Sequence, residues 1–383
     1  MMAKSTSSET MPKTSQPDSS PSIDSIKEQM TAPVSEEAPI PVDDYLSSGS
    51  TMLNLAVTDT PWGFVAKGMY LFLVGDSDSG KTFLSLTCLA EAAQNPHFDN
   101  YRFILDNVEG GAIMNLRKFF GSKMADRLEP PKVDADGLPI TSQTVEEFYY
   151  NLDDALAHEK PCIYILDSMD ALSSVQETDT FGENKKRFQG GKEGKGSYGD
   201  GKAKANASGI RQALAKIRAT GSILLVINQT RDKLNAMPFG PTKTKSGGHA
   251  LDFYASVRLW SSIKGPIYKT IDATKHAIGN TIKVKVSRTR FTGKKTAIEI
   301  PIYPSYGIDD TCSCIDYLVN VHKWKMSGQK IDATDFGLTV NKAKLMTEIE
   351  SKPGWRTKLQ KLTGEEWTKV QRKASLNRNP RYE

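Results

Sequence analysis

The segment Gly75-Asp76-Ser77-Asp78-Ser79-Gly80-Lys81-Thr82 constrains this chain more than any other. The apolar run Tyr70-Leu71-Phe72-Leu73-Val74 leads into it, and the helix-like Phe83-Leu84-Ser85-Leu86-Thr87-Cys88-Leu89-Ala90 follows. Strand, glycine loop and helix, with G-x-x-x-x-G-K-T at the turn, let backbone amides wrap a phosphate chain. The helix N-terminus adds the positive end of its dipole. Lys81 is placed to reach β- and γ-phosphates and the Thr82 hydroxyl to bind Mg²⁺. Gly75, Asp76, Ser77, Asp78, Ser79, Gly80, Lys81 and Thr82 are therefore the expected nucleotide-binding residues, with ATP and Mg²⁺ as ligands. Carboxylates at 76 and 78 fit beside phosphate only if their side chains turn outward while their amides turn in.

A glycine loop also needs an acid to organise the metal and a group to activate water. Cys162-Ile163-Tyr164-Ile165-Leu166-Asp167-Ser168 is an apolar strand ending in Asp, which predicts Asp167 beside Thr82 as the second Mg²⁺ residue. The strand Phe103-Ile104-Leu105-Asp106 leads into Asn107-Val108-Glu109-Gly110-Gly111. Glu109 lies just past the strand's C-terminal edge, where a carboxylate can polarise the attacking water, and Asp106 competes for that role. Ile223-Leu224-Leu225-Val226-Ile227-Asn228-Gln229 is a third buried strand with a polar end. Gln229 there can bond a γ-phosphate and report its loss to the loop that follows, a natural switch.

Apolar and helical stretches alternate from Leu53 onward. Strands are expected at 70–74, 102–106, 162–167, 222–228, 254–260, 281–286 and 296–301, and helices at 81–94, 145–158 and 203–219. Alternation early and consecutive strands late predict an α/β fold: a mainly parallel sheet with antiparallel edge strands. Residues 1–40, rich in Ser, Thr, Pro and Glu, read as a disordered acidic segment, with one transient helical turn carrying Ile23, Ile26 and Met30. Residues 41–311 read as the ATPase core and 312–383 as a small basic, α-rich C-terminal appendage. Residues 182–202 form a polar Gly- and Lys-rich insert that cannot be core.

The 383 residues are 38% hydrophobic with a net charge of +5. Residues 1–50 carry three basic and eight acidic side chains, so the rest holds the whole positive excess, which suits a polyanionic partner. No apolar run is long enough to span a bilayer and no signal peptide is evident, so a cytoplasmic location is expected. Cys88 and Cys162 lie in apolar runs and should be buried, whereas Cys312-x-Cys314 lacks the second pair a metal site needs.

The glycine loop, Leu-Asp-Ser-Met-Asp-Ala-Leu (166–172), Ile-Asn-Gln-Thr-Arg (227–231) and Ser-Gly-Gly-His-Ala-Leu-Asp-Phe-Tyr-Ala-Ser-Val-Arg-Leu (246–259) occur in this order. As a set they resemble the RecA recombinase family. Ser50-Thr51-Met52-Leu53-Asn54-Leu55-Ala56 and Lys285-Val286-Ser287-Arg288-Thr289-Arg290 also fit, and Tyr306-Gly307-Ile308-Asp309 resembles the phage UvsX-type branch. The resemblance covers residues 45–310. It implies a RecA-like P-loop ATPase core and an ATP-dependent recombinase that forms filaments on single-stranded DNA, pairs it with duplex DNA and exchanges strands. It further implies a homo-oligomer with ATP at subunit interfaces, loader or single-strand-binding proteins as possible partners, and a bacterial host cytoplasm if the chain is phage-encoded. Lys81, Thr82, Asp167, Glu109 and Gln229 take the roles given above. Arg288 and Arg290 match a basic pair inserted by the neighbouring subunit, where the family often has lysine. Loops 176–205 and 230–246 match the two DNA-binding loops. Lys185, Lys186, Arg187 and Lys192 in the first, and Arg231, Lys233, Lys243 and Lys245 in the second, are expected on phosphates. Met237 and Phe239 offer apolar surface to bases. The first loop is longer and more basic than is usual for the family. Glu109 follows Asp106 by three residues where the family more often has two, which keeps the choice between them open. A ring helicase or translocase and a regulatory DNA-binding ATPase are the competing functions on this fold.

Overall fold

A computed structural model describes residues 40–112, 114–193, 200–232, 243–376 and 378. The acidic N-terminal segment up to residue 39, and Lys233, Met237 and Phe239, lie outside the described residues.

All six residues of the P-loop strand Tyr70–Gly75 are buried, because it lies mid-sheet with helices on both faces. Its neighbours on either side are parallel: Ile223–Asp232, with Gly75 opposite Gln229, and Val257–Ile271, with Gly75 opposite Ser261. Outside Ile223–Asp232 lie Cys162–Leu166 and then Arg102–Asp106, also parallel. Outside Val257–Ile271 come Thr274–Thr289, Thr296–Tyr303 and Gly307–Ile308, all antiparallel. The short strand Lys243–Lys245 folds back on the end of Ile223–Asp232. Among the described residues this is a nine-stranded sheet, parallel in its centre and antiparallel at one edge.

The side-chain period of two divides the core. Leu71, Leu73, Ile163, Ile165, Ile223, Leu225 and Ile227 face the helix Lys81–Gln94. Tyr70, Phe72, Val74, Tyr164, Leu166, Leu224 and Val226 face the helices Val145–Leu156 and Asp200–Thr220. Strands buried on both faces read as continuous apolar runs, which is why the sequence displays them so clearly. Cys88 and Cys162 are buried in these layers.

Three elements differ from expectation. Residues 254–260 divide into a short helix, Ala250–Tyr254, and a strand that starts at Val257, because Ser256 N–H is drawn to Tyr70 O at 2.8 Å. Much of the insert at 182–202 is helix: Val175–Gln189 is nucleated by a capping box between Ser174 and Glu177, and helix formers outweigh its polarity. The C-terminal part contains a three-stranded antiparallel sheet, Lys325–Ser327, Lys330–Ala333 and Leu338–Asn341. These strands have three or four residues and mixed polarity, too short for alternation to register. With the helices Asp310–Asn320, Lys342–Ser351 and Trp355–Ala374 they enclose a core around Trp324, Ile315 and Leu318.

This C-terminal part is bonded to the helix Thr51–Thr58 and the residue that caps it. The Thr51 amide and hydroxyl donate to the Asp310 carboxylate at 2.6 and 2.7 Å, and Trp367 Nε1 donates to Asp59 Oδ1 at 2.8 Å. Among the described residues, no helix is long and apolar enough to cross a membrane.

Candidate functional site

The P-loop closes at the C-terminal end of its strand. Gly75 is required by close approach: a Cβ there would collide with the Ser261 carbonyl oxygen and lie 2.6 Å from Ser79 Oγ. Asp78 (φ 59°) and Gly80 (φ 78°) take left-handed conformations, which Gly adopts without strain and Asp tolerates. Asp78 is exposed. The Asp76 side chain turns to the second loop, bonding the Thr230 hydroxyl and pairing with Lys243 Nζ at 2.5 Å. Lys243 first, and then Thr230, holds the Asp76 carboxyl below the usual carboxylate range.

Lys81 opens the helix Lys81–Gln94 as a buried residue, 7% exposed, donating to Asp76 O at 2.6 Å. Burial lowers its pKa, while Glu109, Asp167, Asp76 and Asp78 oppose that shift. An enclosed cation that spends its hydrogen bond on a loop carbonyl is poised for a stronger anionic acceptor. Thr82 Oγ1 donates to Asp167 Oδ2 at 2.6 Å. Burial raises the Asp167 pKa, the Thr82 bond opposes this and Glu109 adds to it. One hydroxyl and one carboxylate at the mouth of a phosphate cradle suit Mg²⁺, a hard cation that takes few protein ligands and completes its shell with phosphate and water.

Glu109 and Asp106 part company. Asp106 is 8% exposed, with its carboxylate occupied by Ser142 Oγ at 2.5 Å and Tyr164 OH at 3.2 Å. Glu109 is exposed at the sheet end that carries the P-loop, its amide bonded to Asp167 O at 2.9 Å. Ser168 Oγ donates to Glu109 Oε2 at 3.0 Å, and Gln229 Nε2 donates to Oε1 at 2.5 Å. That Gln229 and Glu109 touch each other is not readable from a sequence in which 120 residues separate them. Ser168 follows Asp167 through a cis peptide bond; it lies in the 166–172 motif, but its bond to Glu109 was not readable there.

Arg288 and Arg290 lie elsewhere. Arg258, level with Phe72, pairs with Arg288, while Arg290 N–H bonds Ser256 O, whose own amide bonds Tyr70 O. Both arginines thus sit toward the opposite end of the sheet from Gly75. Arg288 donates to the Asp252 and Phe253 carbonyls at 3.1 and 2.8 Å, and Arg290 reaches Phe253 O at 3.4 Å. Phe253 is 64% exposed beside them.

Of the expected DNA cations, Lys185, Lys186, Arg187 and Lys192 lie on or just beyond the helix Val175–Gln189, the lysines exposed. Phe181 and Phe188, 70% and 82% exposed on that helix, escaped the sequence reading. Their seven-residue spacing with Lys185 between them places the three on one helical face, the signal that could have found them. Arg231 is exposed and pairs with Asp170 at 3.0 Å. Lys245 corrects the expectation. Its ammonium is buried against Asp252 and 4.5 Å above the Phe72 ring, and Asp252 also pairs with Arg258 at 2.9 Å. Lys245 shares a strand face with Lys243, so its contacts with Asp252 and Phe72, and not the strand period, hold it inward at 11% side-chain exposure.

A profile of the RecA N-terminal domain matches residues 141–309, a span that contains Asp167, Gln229, Arg288 and Arg290. The chain is 30% identical over 294 residues to the protein named RecA of Campylobacter fetus subsp. fetus, covering 74% of this chain and 73% of that protein. It is 30% identical over 278 residues to RecA of Cytophaga hutchinsonii, covering 71% and 67%. It is 28% identical over 298 residues to RecA of Streptococcus equi subsp. zooepidemicus, covering 75% and 70%.

Proposed function

This chain belongs to the RecA family and is an ATP-dependent DNA recombinase, and from that premise we propose how its residues divide the work. The P-loop amides and Lys81 hold the phosphates of ATP, and Thr82 and Asp167 hold Mg²⁺. When bound, the metal offsets charge on the phosphate oxygens. Glu109 accepts a proton from the water that attacks the γ-phosphorus as the bond to the β–γ bridging oxygen breaks, releasing ADP and phosphate. Ser168 orients Glu109 from one carboxylate oxygen and Gln229 from the other. Arg288 and Arg290 act on the ATP of an adjoining copy, supplying cations to the transition state. Lys185, Lys186, Arg187 and Lys192 meet DNA phosphates from the first loop, with Phe181 and Phe188 as base-stacking surface. Arg231, Lys233 and Lys243 meet phosphates from the second loop, and Met237 and Phe239 offer apolar surface to bases.

The bond from Gln229 to Glu109 carries this reading. It joins the water-activating carboxylate to the strand that runs into the second loop, so DNA at the loop and hydrolysis at the P-loop share one contact. Gln229→Ala should bind ATP normally yet lose most of the increase in phosphate release that single-stranded DNA produces in the unaltered chain. Unchanged DNA stimulation in Gln229→Ala would remove this coupling. A parent chain that shows neither DNA-stimulated hydrolysis nor joint-molecule formation with homologous duplex would overturn the whole assignment.

A further inference from the structure

The root of the second loop is a two-strand ladder in which Thr230 faces Lys245, Arg231 faces Thr244 and Asp232 faces Lys243. Two carboxylates outside the ladder grip it. Asp76, in the P-loop, takes the Thr230 hydroxyl and the Lys243 ammonium. Asp170, three residues after Asp167, takes the Arg231 guanidinium at 3.0 Å and the Ser246 hydroxyl. Successive strand residues point to opposite faces, so Thr230 and Arg231 are held from two sides. The cations are the open partners, with side chains 45% exposed for Lys243 and 58% for Arg231, against 32% for Asp76 and 17% for Asp170. Each carboxylate therefore stands behind a cation that a polyanion can approach from solvent. Asp76 also bonds the nucleotide cation, since its carbonyl accepts from Lys81 Nζ.

We propose that Asp76 and Asp170 are positioning residues that stand in for DNA phosphates, engaging Lys243 and Arg231 in the DNA-free chain and setting a threshold for single-strand binding. A strand that binds must displace two carboxylates. Nucleotide acts on the same device, because a phosphate that draws Lys81 away from Asp76 O frees the backbone beneath the Asp76–Lys243 pair. The inference rests on the reading of Arg231 and Lys243 as DNA contacts and adds the residues that restrain them.

The test is the affinity of the full chain for a fluorescent oligo(dT), without nucleotide, at fixed low salt. Asp76→Asn and Asp170→Asn should each bind roughly fivefold tighter, the scale of one exposed ion pair. Asp170→Glu should behave as the parent. The gain from Asp170→Asn should vanish in an Arg231→Ala background and that from Asp76→Asn in a Lys243→Ala background, whereas a general loss of negative charge would persist there. If Arg231→Ala and Lys243→Ala weaken binding while neither Asn variant strengthens it, the restraint is refuted and the loop assignment stands. If Arg231→Ala and Lys243→Ala bind as the parent does, the loop assignment itself fails. Should Asp170→Asn not fold, Asp76→Asn with its Lys243→Ala cycle decides alone.

Discussion

The two ends of the central sheet carry two different sets of side chains, to which we assign different halves of one reaction. At the C-terminal end of the parallel strands, Lys81, Thr82, Asp167, Glu109 and Gln229 converge through direct bonds of 2.5–3.0 Å among themselves, Ser168 and the loop backbone. Toward the other end, Arg288 and Arg290 bond helix carbonyls, and Arg288 lies 5.9 Å from the ring of the exposed Phe253. Arg288 lies level with Phe72 and Arg290 near Tyr70, three to five strand residues or roughly 10–17 Å from Gly75. No arginine side chain bridges that length to its own P-loop. Under the proposed division, a nucleotide cradle at one end and cations at the other meet when copies stack head to tail, a heterologous contact that propagates as a filament.

The sharpest way to break this division is Lys81→Ala. It removes the cradle's enclosed cation, and ATP hydrolysis should fall to background with nucleotide binding lost in equilibrium dialysis. Near-normal hydrolysis would show that the cradle lies elsewhere. Arg288→Ala and Arg290→Ala come next, with turnover on DNA expected to drop about a thousandfold, the worth of a cation supplied in trans. Each should recover activity when mixed with Lys81→Ala, because one junction then joins an intact cradle to intact arginines. Activity that never returns at any mixing ratio would place the arginines in the wrong half. Glu109→Gln should slow hydrolysis about a hundredfold while ATP still binds. Asp106→Asn should act on stability instead, costing about 1–3 kcal/mol through its buried bonds to Ser142 and Tyr164. A thermal melt and a phosphate-release assay on this pair would exchange the assignments if the phenotypes came out reversed. The smallest effects separate the DNA cations. Lys185→Ala should lower the slope of log affinity against log salt by about 0.7, the share of one phosphate contact on a single strand. Lys245→Ala should leave that slope alone and destabilise the fold by about 3 kcal/mol, since Asp252 loses a buried partner. A changed slope for Lys245→Ala would return it to the DNA surface.

Legibility in the sequence followed the physics of each part. Strands buried on both faces display themselves as apolar runs, so Tyr70–Val74, Cys162–Leu166 and Ile223–Asn228 could be placed before any coordinates. The glycine loop was legible because few residue types can make that turn. Side-chain direction was not. Lys243 and Lys245 are two residues apart and equally basic, yet one stays half exposed against Asp76 and the other is buried against Asp252. Only tertiary contact separates them. The same limit hid the partners of Ser168 and Asp170, which are distant in sequence, and the C-terminal sheet, whose strands are shorter than one alternation can reveal.

The bonds from Thr51 to Asp310 and from Asp59 to Trp367 join residues 259 and 308 positions apart. A ribosome releases the Thr51–Asp59 end first and must synthesise nearly the whole protein before either partner appears. At about 5–20 residues per second, that delay is roughly 15–60 s. Until then the helix Thr51–Thr58 can pack Leu53, Leu55 and Val57 into the sheet core and bond Thr289, but its Thr51 and Asp59 ends lack these two partners. The helix Trp355–Ala374 therefore fastens Asp59 late, and a nascent chain halted after residue 354 would carry every proposed nucleotide-binding residue without the Trp367–Asp59 bond.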